Sequence, residues 1–168
     1  MFRKLQHRFQ SMRTLSRLCT DAEAHARSRG QPAPGVEHFL LAAMDLPDGS
    51  ARRAFESVGA DPAAVGEAIE RQYREALQAV GVQGPLAPAA ALDAPAAAGL
   101  YRAQPSGQEL VQALARSSKE QAGPLLGAHV VAAIAAMPQG VAARTLRALG
   151  IDAARLVAAA RAQVPSAA

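Results

Sequence analysis

Residues 35–61, GVEHFLLAAMDLPDGSARRAFESVGAD, and residues 126–152, LGAHVVAAIAAMPQGVAARTLRALGID, carry the same punctuation twice. A shift of 91 residues lays His38 on His129, Pro47 on Pro138, Gly49 on Gly140, Arg53 on Arg144, Gly59 on Gly150 and Asp61 on Asp152, with no gap. Helix breakers and capping residues coincide, so the same stops and starts recur. That is the mark of a duplicated supersecondary unit.

Each copy opens on an almost wholly apolar run, 37–46 and 128–137, closed by Pro47 and Pro138, which cannot continue a helical hydrogen-bond ladder. These runs predict the buried central helices. Third helices are expected over 50–58 and 141–149. They end at Gly59 and Gly150, where a left-handed C-terminal residue costs glycine little. Asp61 and Asp152 then stand where a side-chain oxygen would cap a fourth helix, with Pro62 suited to its first position. Those helices run to about Val80 and Val164.

Working outward, Leu5, Phe9, Met12, Leu15, Cys19, Ala22 and Ala26 recur every three or four residues and predict a long amphipathic first helix over 5–27. Its counterpart is expected over 107–120, opened by a Ser106–Glu109 capping box. Residues 81–105 are rich in Pro, Ala and Gly, without a sustained apolar period, and read as a linker. The expected architecture is therefore all-α: repeat one over about 3–80, the linker, and repeat two over about 106–164. Helices of nine or ten residues are marginal alone, so the repeats must share a core. A single eight-helix domain over 1–168 with pseudo-two-fold symmetry follows.

Composition agrees. Half of the 168 residues are hydrophobic but only 4% are aromatic, so the core must be built of closely packed Ala, Leu and Val, which favours helices. The net charge of +4 is unevenly placed: Arg3, Lys4, Arg8, Arg13 and Arg17 all precede the first acid, Asp21. The rest of the chain holds thirteen basic against fourteen acidic side chains, so no body-wide basic face is implied and a nucleic-acid partner is disfavoured. One cysteine, Cys19, permits no intramolecular disulfide and suits a reducing, cytoplasmic setting. The longest apolar run, 125–137, falls short of the roughly 20 residues of a membrane span, and no membrane partner is expected.

The succession of a long first helix, then Gly35-Val36-Glu37-His38-Phe39-Leu40-Leu41, then 51–59 and Asp61, resembles one Clp repeat, whose signature is Gly-Thr-Glu-His-Leu-Leu-Leu. The second copy follows it more loosely in Gly127-Ala128-His129-Val130-Val131 and more closely from Gly140 to Gly150. Two tandem four-helix Clp repeats are similar to the amino-terminal domain of Clp-type AAA+ unfoldases. That resemblance implies a substrate- and adaptor-docking domain whose partners are protein or peptide clients, a Clp-type ATPase, or a cyclic-peptide ligand of the kind some relatives bind through the first helix. Family members that recognise phosphoarginine use the acidic residue of the Glu-His motif in each repeat. Here only Glu37 remains, the second copy has Ala128, and the motif threonine is Val36 and Gly127. At most one weakened phosphoarginine site is left.

No constellation announces catalysis. Neither lysine, Lys4 nor Lys119, lies in a Gly-Lys-Ser/Thr loop that could cradle nucleotide phosphates. Cys19 and His25 lie six apart and face different ways on one helix, which is poor geometry for a thiolate and its base. His7, His25, His38 and His129 are scattered without metal-ligand spacing. No catalytic residue, metal or cofactor is expected, and His38 and His129 read as helix-start residues. Glu37 is the first candidate for a polar ligand contact, although a first-turn carboxylate also suits the helix dipole. Phe2 and Phe9 are the apolar candidates, in an inter-repeat groove bordered by the first helices. Arg3, Lys4, Arg8 and Arg13 form a basic segment whose plainest role is a solvated helix face. Its alternative is to serve a nucleic-acid-associated regulator.

Overall fold

The computed structural model describes residues 2–81 and 102–165, and the described residues are all-helical, with no strand. The helices are α1 (Phe2–Ser28), α2 (Val36–Met44), α3 (Ser50–Ser57), α4 (Ala64–Ala79), α5 (Pro105–Glu120), α6 (Gly127–Ala135), α7 (Val141–Ala148) and α8 (Ala153–Ala162). Most of the expected linker lies outside the described residues. Its last residues are structured: the Gln104 N–H donates to the Pro34 carbonyl at 2.9 Å, and Ala103 is buried.

Every residue of α2 is buried, as are six of the nine in α6, so the two apolar runs form the centre. Their starts are built alike. The Gly35 N–H donates to His38 Nδ1 and the Leu126 N–H to His129 Nδ1, each at 3.0 Å. The paired histidines thus satisfy donors that a helix start leaves open. Both helices stop two residues earlier than expected, at Met44 and Ala135; the C-cap residues Asp45 and Ala136 keep right-handed angles, and the proline two residues further on cannot continue the hydrogen-bond ladder.

The ends of α3 and α7 are also alike. Gly59 and Gly150 take positive φ (78° and 68°), and the next N–H closes back on the third-last helical carbonyl, Ala60 to Phe55 at 3.0 Å and Ile151 to Leu146 at 2.9 Å. This is a Schellman closure. Two starts differ from expectation. Asp152 caps α8, accepting from the Arg155 N–H at 2.7 Å. Asp61 instead accepts from the Ala63 N–H, forming a turn through Pro62, and α4 begins only at Ala64. Ser106 and Glu109 form no capping box, because Pro105 already occupies the first helical turn behind Gln104.

The halves exchange elements. α3 packs on α6 and α8 of the other half, and α7 packs on α2 and α4, while α2 and α6 touch each other. Phe39, Phe55, Leu18, Leu40, Ile69, Leu110, Leu114, Ile134 and Leu156 fill one continuous core spanning both. Close approach is built in where α5 meets the loop before α2. A Cβ at Gly107 would lie 2.8 Å from the Pro34 carbonyl oxygen and 3.0 Å from the Phe39 ring. Gly107→Ala is therefore expected to cost about 1–3 kcal/mol of unfolding free energy, read by chemical denaturation.

Candidate functional site

The apolar row of α1 does not stay in the core. Ser11, Leu18, Ala22 and Ala26 are buried, yet Leu5, Phe9 and Met12 are 67%, 63% and 70% exposed. The cause is helical geometry. Leu5, Met12, Cys19 and Ala26 are one heptad apart, and a straight helix of 3.6 residues per turn rotates such a row by about 20° per heptad. Followed back from Ala26 to Leu5 the row turns by about 60°, and Phe9 lies further round still. Three large apolar side chains at i, i+4 and i+7 therefore stand in water along about 10 Å of helix. The side chain of Phe2 lies outside the described residues. Arg8 and Arg13 are exposed beside the row, Arg3 and Lys4 are exposed just before it, and among the described residues none of the four enters an ion pair. Arg17 is paired with Asp21 at 3.4 Å.

The opposite face of this segment is fixed. His7 Nδ1 donates to the Ala122 carbonyl at 3.0 Å, and buried Ser11 Oγ donates to the His7 carbonyl at 2.8 Å while accepting from the Leu125 N–H at 3.0 Å. The loop between α5 and α6 thus holds the start of α1 from the other half. The exposed row is a presented surface rather than a frayed end.

Glu37 sits elsewhere. It is 3% exposed, its Oε1 accepts from the Tyr73 hydroxyl, and His38 Nδ1 is 3.3 Å away. Its oxygens fold back over Gly35, where an added Cβ would meet both of them and the Gln104 amide oxygen within 3 Å. Burial, then the bond to Glu37, raises the Tyr73 hydroxyl well above its ordinary range. A guanidinium reaching this carboxylate would have to displace Tyr73. The structure thus does not bring Glu37 and Phe9 into one surface. Burial likewise lowers the pKa of His38 and of His129 below the ordinary imidazole value. Because Nδ1 of His38 accepts from Gly35, its proton resides on Nε2, which has no hydrogen-bond partner among the described residues.

Sequence reasoning missed a junction between the halves. Asp48 accepts from the Ser50 N–H at 2.9 Å and from the Ser50 hydroxyl through Oδ1, and from the Gly127 N–H at 3.1 Å through Oδ2. Ser50 Oγ in turn accepts from the Ala128 N–H at 2.8 Å. Two side chains of one repeat thereby cap the first turn of the other repeat's central helix. The signal available in the sequence was that α6 lacks a capping side chain of its own at Leu126.

Among the described residues, no three His, Cys, Asp or Glu side chains converge where they could hold a metal ion, and no helix is long and apolar enough to cross a membrane. A family model described as the Clp repeat (R) N-terminal domain matches residues 13–97. No curated protein matches the chain.

Proposed function

Because this chain belongs to the Clp repeat N-terminal domain family, we propose that it is a non-enzymatic docking module that binds protein or peptide segments. In this reading it recruits, regulates or sequesters clients of Clp-dependent proteolysis. The observation that carries the reading is the row Leu5, Phe9 and Met12, neighbours on one helix face and more than 60% exposed, on a helix hydrogen-bonded from behind to the α5–α6 loop. Single exposed apolar residues are ordinary, but a contiguous row marks an interaction surface. A helix fixed before binding also loses little entropy when a partner seats on it.

The direct test is selection of a random peptide library on the immobilised chain, repeated with a Leu5→Ser/Phe9→Ser/Met12→Ser variant. Enrichment that disappears in the variant is the expected result. No enrichment, or enrichment indifferent to the variant, would refute docking on α1. The place in Clp-dependent proteolysis is tested separately, by whether the chain changes client degradation by a reconstituted Clp ATPase and peptidase. The rival reading, a nucleic-acid-associated regulator, has in its favour the four exposed, unpaired basic side chains at the start of α1. It requires duplex DNA binding that weakens steeply with salt as counterions are released.

A further inference from the structure

The exposed row precedes residue 13, where the match to the family begins. Leu5, Phe9 and Met12 therefore belong to turns of α1 that the family match does not include, and their partner must be read from their own chemistry. Resting on the docking reading above, we infer that the start of α1 receives an acidic amphipathic helix, with apolar side chains on one face and carboxylates on both edges.

Three features select this occupant. The row has helical spacing along about 10 Å, the length of two turns of a partner laid against it, and such docking is read out by i, i+3, i+4 and i+7 anchors. Arg8 borders the row on one side and Arg13 on the other, at about 60° or less from the nearest apolar member on a 100°-per-residue wheel. Their charges can therefore meet carboxylates on both edges of the partner. No acid precedes Asp21, so nothing on this segment of α1 neutralises Arg3, Lys4, Arg8 or Arg13.

The same features disfavour other occupants. A second copy docked through this face would bring two sets of unpaired basic side chains together, and like charges facing each other across an interface cost several kcal/mol. Among the described side chains of this segment a bilayer would gain Leu5, Phe9 and Met12, since the opposite face is held to Ala122 and Leu125, and stable membrane anchoring from one short apolar element is marginal.

The experiment uses the full chain and a labelled synthetic helical peptide of about 18 residues, with Leu at i, i+4 and i+7 and Glu on both flanks. A second peptide carries Lys at each Glu position. Fluorescence anisotropy should show the acidic peptide binding at least about tenfold more tightly than the basic one, with the difference shrinking as salt screens it. Phe9→Ser should abolish binding. Arg8→Glu with Arg13→Glu should invert the preference, restoring affinity for the Lys peptide. Both arginines are exposed, and circular dichroism verifies that the variant retains the fold. Equal affinity for the two peptides would overturn the acidic assignment, while library enrichment on the same row would leave the docking reading standing. Absence of peptide binding, combined with Phe9-dependent binding to phosphatidylserine vesicles, to duplex DNA or to a second copy by sedimentation, would replace the inferred partner with that one.

Discussion

Asp48→Ala is expected to lower the unfolding free energy by about 2–4 kcal/mol, measured by urea denaturation at neutral pH. The carboxylate accepts three hydrogen bonds, from the Ser50 N–H, the Ser50 hydroxyl and the Gly127 N–H. Hydrogen bonds to a charged group contribute about 1.5–3 kcal/mol each, and a buried donor left without a partner costs about 1–3 kcal/mol. These bonds are coupled, so they do not simply add. Gly127 lies so close to the first repeat that a Cβ there would be 3.1 Å from the Ala43 carbonyl oxygen and from the Ala51 side chain, which leaves little room for water to replace the lost acceptor. The negative charge also faces the positive end of α6, an interaction lost with it. Asp48→Asn should recover part of the loss, since its amide oxygen can still accept. A full-size loss in Asp48→Asn and a negligible one in Asp48→Ala would both contradict the role assigned to this junction.

The second large effect is a fall in stability on mild acidification. His38 and His129 are held neutral by burial, each with its pKa below the ordinary value of 6.5. The unfolded chain therefore binds protons that the folded chain refuses. Their stabilisation is fully present above pH 6.5 and is lost as pH falls from 6.5 toward the lowered folded values. Each histidine contributes a limiting slope of about 1.4 kcal/mol per pH unit in that window. The expected result is a fall in the denaturation midpoint between pH 7.5 and 5.5, with a slope bounded by twice that. Facing these rings are Glu37, Arg29 and His25 around His38 and Asp48 near His129. Glu37 and Asp48 favour protonation, but burial prevails. His129→Gln should reduce the slope by about half while leaving the pH 7.5 fold intact. A stability unchanged between pH 7.5 and 5.5 would show that neither imidazole is held neutral.

The punctuation of the sequence carried most of the architecture. His38 and His129, Gly59 and Gly150, and the prolines after the central helices act through bonds to residues within five positions, so their pairing is written locally. Asp152 behaves in the same way. Asp61 does not, because its side chain found a nearer donor in Ala63, and Ser106 was pre-empted by Pro105. Both outcomes turn on backbone angles that residue identity alone leaves open. The long-range contacts were illegible for a different reason. Tyr73 on Glu37 spans 36 residues and Asp48 on Gly127 spans 79, and no periodicity connects them. Of the candidate site residues, the basic side chains are exposed as their position on the helix suggests, whereas Glu37 is enclosed by neighbours contributed by α4 and by the entry to α5. The exposure of Leu5, Phe9 and Met12 was hidden in an apparently unbroken apolar row. It emerges only when the drift of a heptad pattern on a 3.6-residue helix is set against the point at which the core ends.

The most direct measurement is backbone amide NMR of the isotopically labelled chain titrated with a peptide enriched in the library selection. Docking on the start of α1 predicts shift changes concentrated in residues 3–13, with the amides around Glu37 and Tyr73 unmoved. Changes centred on Glu37 and α7, with residues 3–13 silent, would place the binding surface elsewhere and contradict the role given to α1.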